Sequence, residues 1–142
     1  MYPVSSSNVT VAYLNVHGQS RMPISKQKQI EDLISRENID ILHLQEINVD
    51  ENTFAQCNFI QSNYHLVQNN ATNKYGTASL IRSNFNPENI KMDTHGRAIF
   101  FNIHDITFGN IYMHSGTDAI SRSAREKMCS ETILVDKSFF PC

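Results

Sequence analysis

The sequence contains no tryptophan, and only five glycines and four prolines occur among its 142 residues. So few chain-breaking residues exclude a collagen-like or low-complexity protein. A content of 40% hydrophobic and 18% charged residues also excludes a disordered chain. The length suits one compact domain with its own hydrophobic core.

Cysteine is scarce as well, with three residues that form neither an even set nor a close pair: Cys57, Cys129 and Cys142. This count and spacing argue against a disulfide framework and against a zinc site. The start "MYPVSSSNVTVAYL" lacks the basic and apolar regions of a signal peptide, and no apolar run is long enough to span a bilayer. We therefore expect no membrane association, reduced thiols, an intracellular location and a disordered segment over residues 1–8.

An excess of positive charge is the third absence, since the net charge is −2. The chain as a whole creates no positive field, so any binding of nucleic acid must come from local basic groups or bound cations. This argues against a pure DNA-binding module.

The first third of the chain alternates strand and helix. "VTVAYLNV" (9–16) is rich in β-branched residues and predicts a strand. Ser25 is expected to cap a helix over "KQKQIEDLISREN" (26–38), which has one apolar stripe, and "DILHL" (40–44) predicts a buried strand. Connections this short indicate a βαβ unit, whose parallel strands end at the same edge of the sheet.

Two polar residues come at the ends of these strands. Asn15 is near the end of the first, and Glu46 follows the second in "DILHLQEINVD". A carboxylate held at the tip of a buried strand is a candidate for chemistry. The residues alone leave the plainer interpretations open: Glu46 as an ordinary loop carboxylate, and Asn15 as a residue that closes the turn before Gly18.

The remainder is rich in β-strand patterns and ends with a helical one. From residue 119 the spacing predicts a helix with Ile120, Ala124 and Met128 turned inward, whereas the tail 135–142 has no clear partner element. The predicted strands are "YHLVQ" (64–68), "GTASLIR" (76–82), "GRAIFFNIH" (96–104) and "ITFGNIYM" (106–113), the last two paired as a hairpin.

Five blocks of the sequence carry a family resemblance: "AYLNVHG", "IDILHLQEI", "YGTASLI", "GRAIFF" and "FGNIYMHSG". They follow one another in the order seen in the endonuclease/exonuclease/phosphatase superfamily. The chain resembles most the N-terminal endonuclease of non-LTR retrotransposons, a branch similar to apurinic/apyrimidinic endonucleases and pancreatic DNase. The resemblance covers residues 9–134 and implies an α/β (α+β), DNase I-like fold, of which this chain would supply the N-terminal half of a two-layer β-sandwich flanked by helices.

The resemblance also implies an activity, namely endonucleolytic nicking of DNA by Mg²⁺-dependent hydrolysis, with Mn²⁺ as an alternative ion and the nucleus as a location. Glu46 matches the glutamate that binds the metal, and one carboxylate with several waters is a usual Mg²⁺ arrangement. Asn15 would be a neutral hydrogen-bonding residue of the catalytic site, and Tyr112 matches the tyrosine that contacts the scissile phosphate. Arg21 and Arg97, each near a glycine-containing turn, are the expected nucleic-acid contacts.

The chain departs from the family pattern in three places. The usual Tyr-x-Pro is replaced by Tyr112-Met113-His114, and His17 stands where several relatives have an acidic or amide residue. The Asp-x-Asn and Ser-Asp-His blocks of the family's second half do not follow Tyr112. We therefore expect a truncated domain with an incomplete active site and a divergent or frameshifted tail over 135–142.

Two alternatives remain open at this stage. The chain could be a catalytically inactive retroelement remnant or interaction module, or it could hydrolyse another phosphoester. No obligate protein partner is expected, but an uncovered sheet face would make the chain self-associate.

Overall fold

The computed structural model describes residues 8–19, 21–72, 74–113 and 119–128. The predicted tail and all but Asn8 of the predicted N-terminal segment lie outside these residues, so the division of the chain remains a prediction. No helix of the described ranges is both long and apolar enough to cross a membrane. The described elements are helices α1 (Ile24–Glu37), α2 (Asn58–Asn63) and α3 (Ala119–Met128) and strands β1 (Val11–Gln19), β2 (Ile41–Ile47), β3 (Tyr64–Asn69), β4 (Gly76–Arg82), β5 (Glu88–Met92), β6 (Ala98–Ile103) and β7 (Ile106–Ile111).

The predicted βαβ unit is present, because β1 pairs with β2 in parallel and α1 connects them. The predicted cap at Ser25 is wrong, since α1 begins at Ile24 and no side chain caps it. The carbonyl of Pro23 accepts hydrogen bonds from the amides of Lys26 and Gln27. A proline with its φ already fixed starts the helix earlier and leaves Ser25 inside the first turn.

The strands form two sheets. The first has the order β1-β2-β4-β3 and the second the order β5-β6-β7. The predicted hairpin is confirmed by antiparallel pairing of β6 with β7 across the turn between Ile103 and Ile106. Strand β5 was not predicted because all five of its residues are exposed and show no alternation, and α2 was not predicted because only Ile60 of its six residues is buried.

Two hydrophobic clusters lie on opposite faces of the first sheet. One packs α1 and α2 against it, and the other fills the space between the two sheets. The described residues therefore confirm the predicted two-layer sandwich flanked by helices. The first sheet is covered over most of both faces. Among the described strands, two large apolar side chains are more than half exposed: Tyr13 on β1 of the first sheet and Ile106 on β7 of the second.

Helix α3 contradicts one expectation. Ile120, which the spacing placed inward, is 84% exposed. Helical periodicity shows which side chains share a face but not whether anything covers that face. No described side chain of α3 belongs to either cluster, and the side chain of Met128, also expected inward, lies outside the described part of the structure.

A histidine is buried between the sheets. His43 is fully buried, its Nδ1 lies 2.8 Å from Ser79 Oγ, and its ring centroid is 4.8 Å from that of Tyr13. Its Nε2 has no hydrogen-bond partner among the described residues. Burial lowers the pKa of His43 to about 4, because the imidazolium would lose its hydration there.

The protein should lose stability as the pH falls from 7 to 5. The unfolded chain protonates His43 near its ordinary pKa of 6.5, whereas the folded chain does so only near 4, so stability rises with pH within this window. The contribution of His43 to this loss is about 2 kcal/mol. Urea denaturation at both pH values should show a smaller loss for His43→Gln, because the glutamine side chain does not take up a proton in this pH range. His65→Gln, a change on the exposed side of β3, should behave as wild type; equal losses for all three proteins would contradict the assignment.

Candidate active site

The end of β2 departs from regular strand geometry at Glu46. The pairing of β2 with β4 shifts register between Gln45 and Ile47, and the pairing of β1 with β2 shifts between Asn15 and Gln19. Glu46 has a φ of 59°, in the left-handed region that a side chain disfavours. Irregularities of this kind re-aim a side chain at the edge of a sheet, and strained backbone is concentrated at functional sites.

Glu46 is joined to Tyr112 across the gap between the two sheets. The Tyr112 hydroxyl donates a hydrogen bond of 3.0 Å to Glu46 Oε1, and both side chains are half-buried. Tyr112 directly follows β7 of the second sheet, so the contact links the ends of two strands from different sheets. Burial, this hydrogen bond and the charge of Glu46 raise the pKa of Tyr112, against a lowering effect of Arg97. The phenol therefore keeps its proton at neutral pH.

Arg97 lies behind Tyr112. Its guanidinium carbon is 4.5 Å from the centre of the Tyr112 ring, and its Nη1 donates a hydrogen bond of 3.0 Å to the Tyr112 carbonyl. The side chain is buried, so it supports the tyrosine and places positive charge beside it. Its predicted contact with nucleic acid stays a prediction.

Asn15 and Arg21 are placed differently. Asn15 pairs in register with Gln45, beside Glu46, but its Oδ1 accepts a hydrogen bond of 2.7 Å from the amide of His17. The turn-closing interpretation of Asn15 therefore describes its contact here, and its catalytic role stays a prediction. Arg21 is exposed between β1 and α1, and no hydrogen bond or ion pair of the described residues joins it to Glu46 or Tyr112.

Two asparagines that the sequence did not single out fix a neighbouring loop. Asn48 donates to the carbonyls of Ala71 and Lys74, and its Oδ1 accepts from the amides of Ala71 and Gly76. The side chain of Asn70 both donates to and accepts from the backbone of Val49. These bonds hold Asn70, Ala71, Lys74 and Gly76 against the chain that leaves Glu46.

A third residue missed in the sequence is Asn110, a fully buried amide on β7. The signal was present, because "FGNIY" places a polar side chain two residues before Tyr112, on the face of β7 that alternation turns inward. Asn110 Oδ1 accepts a hydrogen bond of 2.8 Å from Gln45 Nε2, next to Glu46.

The oxygen atoms of Glu46 are the type of ligand that a hard divalent cation prefers. Glu46 Oε1 accepts the Tyr112 bond, and Oε2 has no hydrogen-bond partner among the described residues. A carboxylate oxygen with retained waters suits Mg²⁺. No cluster of three histidine, cysteine, aspartate or glutamate side chains able to hold a metal occurs in the described ranges. Of the residues predicted for the site, Glu46 is the one that would contribute a carboxylate to the ion.

The positive φ of Glu46 predicts the order of the unfolding free energies of two variants at this position. Glu46→Gly and Glu46→Ala both remove the carboxylate, but only glycine adopts a positive φ without steric cost. We expect the glycine variant to be more stable than the alanine variant by about 1 kcal/mol, measured by urea denaturation. At Gln68, an exposed position in β3, the same pair should show the opposite order, since glycine weakens a regular strand. An alanine variant of Glu46 at least as stable as the glycine variant would contradict the strained conformation.

Comparisons with known proteins identify solved structures with a similar fold. No protein-family model and no curated protein sequence matches the chain. Among solved structures it is similar to the 3′ phosphatase NExo from Neisseria bound to a product DNA hairpin, with a TM-score of 0.65 and 18% identity over 87% of this chain and 49% of that one. An AP endonuclease from Archaeoglobus fulgidus gives a TM-score of 0.59 and 19% identity over 87% of this chain and 49% of that one.

A third similar structure is TDP2 from Caenorhabditis elegans, with a TM-score of 0.55 and 20% identity over 87% of this chain and 44% of that one. The chain thus spans about half the length of these proteins. At such identities the likeness concerns the arrangement of the strands and helices rather than the activity. Over the part that the structure describes, the chain has a DNase I-like α/β fold.

Proposed function

We propose that the chain supplies the N-terminal part of the active site of a metal-dependent phosphodiester hydrolase that nicks DNA. The observation that carries the proposal is the 3.0 Å hydrogen bond between Tyr112 and Glu46. A carboxylate and a proton-donating phenol meet there at the edges of two packed sheets, which is the combination that a phosphodiesterase needs to hold a cation and a phosphate together.

Each side chain has a role that its geometry supports. Glu46 would hold Mg²⁺ or Mn²⁺ through Oε2, and the ion, when bound, acts as a Lewis acid on the phosphate oxygens. Tyr112 retains its proton and can turn its hydroxyl from Glu46 to a phosphate oxygen that gains charge. The buried guanidinium of Arg97 gives the ring a positive background that favours an anion. Asn15 would orient a ligand or water without adding a competing charge.

Two observations support DNA as the substrate. The similar structures include a protein bound to a product DNA hairpin and an AP endonuclease. The motif order in this sequence also resembles the endonuclease of non-LTR retrotransposons, which would place the protein in the nucleus. Since the net charge is −2, the cation and local arginines such as Arg21, rather than a global field, would attract the phosphates.

A 3′ phosphatase is the second candidate function, because NExo, the similar structure with a TM-score of 0.65, is described as one. It would use the same cation, carboxylate and phenol on a terminal phosphate instead of an internal phosphodiester. The two functions differ in the product released and can be separated directly.

Metal binding by Glu46 should be measurable without any turnover. We expect Mg²⁺ to shift the amide NMR signals around Glu46 with a Kd of about 1 mM or weaker, because one carboxylate is a sparse ligand set. Glu46→Gln should abolish the shift, whereas Glu51→Gln, a change at an exposed turn, should leave it intact. An absence of any shift near Glu46 even at tens of millimolar Mg²⁺, on the order of ten times the expected Kd, would remove the metal from the proposal.

Activity should depend on the same two side chains. Because the chain supplies only part of the active site, we expect it to nick plasmid weakly in Mg²⁺. Any such nicking should fall by about 100-fold or more in Tyr112→Phe and in Glu46→Gln, since each removes a group that stabilises developing charge. Glu51→Gln serves again as the control. Release of inorganic phosphate from a 3′-phosphorylated hairpin without nicking would favour the phosphatase, and nicking that survives Glu46→Gln would contradict both functions.

A further inference from the structure

Asn110 bridges the two sheets through a buried amide. Its side chain is fully buried, and its Nδ2 donates to the carbonyls of Leu44 at 3.2 Å and Ala78 at 2.8 Å. The same Nδ2 lies 3.3 Å from Ser79 Oγ, and Oδ1 accepts the 2.8 Å hydrogen bond from Gln45 Nε2. The amide of one strand in the second sheet is thus bonded to two strands of the first.

The position of this amide relative to the site is specific. Asn110 is two residues before Tyr112 on the same face of the chain, and Gln45 directly precedes Glu46. The bond between Gln45 and Asn110 and the bond between Glu46 and Tyr112 therefore join the same two chain segments at successive points. The bond between Gln45 and Asn110 therefore also limits the distance between the Glu46 carboxylate and the Tyr112 hydroxyl.

Other hydrogen bonds of the described residues cross between the sheets, but none of them joins β7 to the end of β2. Tyr13 on β1 donates to the carbonyl of Gly109, Asn69 on β3 to that of Ala98, and Thr77 on β4 to that of Gly96. The rest of the contact between the sheets is a cluster of apolar side chains, such as Ile81, Ile99 and Phe101. Apolar packing is non-directional and tolerates small displacements of one layer over another, whereas a hydrogen bond is lost within a few tenths of an ångström beyond its range. A buried amide with no alternative partner is the stronger determinant of register.

We propose that Asn110 is a positioning residue that holds β7 against the end of β2, so that the Tyr112 hydroxyl meets Glu46. The positioning role deepens the proposed function. It rests on that function only in the statement that Glu46 and Tyr112 act together on a cation and a phosphate. A purely structural role for Asn110 would instead mean that it satisfies the carbonyls of Leu44 and Ala78 and that its loss lowers stability alone.

A double-mutant cycle separates the two roles. Glu46→Ala and Tyr112→Phe are combined in the wild-type and Asn110→Leu chains, and the free energies of unfolding are measured in urea. Leucine has the same number and branching of side-chain heavy atoms as asparagine and removes every hydrogen bond of the amide. We expect a coupling between Glu46 and Tyr112 in the wild-type background and its loss in Asn110→Leu. A coupling that survives in Asn110→Leu would overturn the proposal.

Two further variants keep the test decisive. Ile60→Val, on the helix side of the first sheet, lowers stability at a distance and should leave the coupling intact; its loss there would also overturn the proposal. If Asn110→Leu does not fold, Gln45→Met removes only the donor to Asn110 Oδ1 and should weaken the coupling in a chain that keeps the other bonds.

The cycle requires neither metal nor DNA. If Mg²⁺ fails to shift the signals around Glu46 while the coupling depends on Asn110, the proposed function is overturned and the positioning role stands. If Mg²⁺ binds at Glu46 and the coupling is independent of Asn110, the positioning role is overturned and the proposed function stands.

Discussion

The burial of β2 on both faces is the constraint on which the rest of the structure depends. Leu42 and Leu44 point to the helices, whereas Ile41 and His43 point to the second sheet. A strand in this position has no room for a charge along its length. The first place where a carboxylate reaches an opening is the point where the pairing on both sides breaks, and Glu46 occupies that point.

The break also explains why polar side chains gather there. Where the ladder loses its regular pairing, backbone amides and carbonyls need other partners. Asn15 accepts a hydrogen bond from the amide of His17, where the pairing of β1 with β2 breaks. Asn48 accepts one from the amide of Gly76, where the pairing of β2 with β4 breaks. Asn110 donates to the carbonyl of Leu44, two residues before Glu46. The site is thus surrounded by amides, which satisfy the backbone while leaving Glu46 as the charged group at the sheet edge.

The sequence predicted most of the fold because its apolar patterns agree with local propensity. The βαβ unit and β4 are dense in β-branched or helix-periodic residues, so burial and backbone preference indicate the same element. Strand β5 and helix α2 lacked such agreement. Glu46 and Tyr112 were identified through family resemblance, since either could have been an ordinary polar residue of a strand end. Alternation along β7 turns Asn110 inward, but its role was missed because it depends on partners on other strands, which periodicity does not identify.

The engagement of Asn70 has a consequence for chemical modification. Asn70-Ala71-Thr72 forms a sequon for N-linked glycosylation. The nitrogen that would carry the sugar, Nδ2, already donates a hydrogen bond of 2.9 Å to the carbonyl of Val49. Nδ2 carries two hydrogens, so a glycan would have to replace the one that does not bond to Val49, on an amide whose nitrogen and oxygen are both held by the segment after β2.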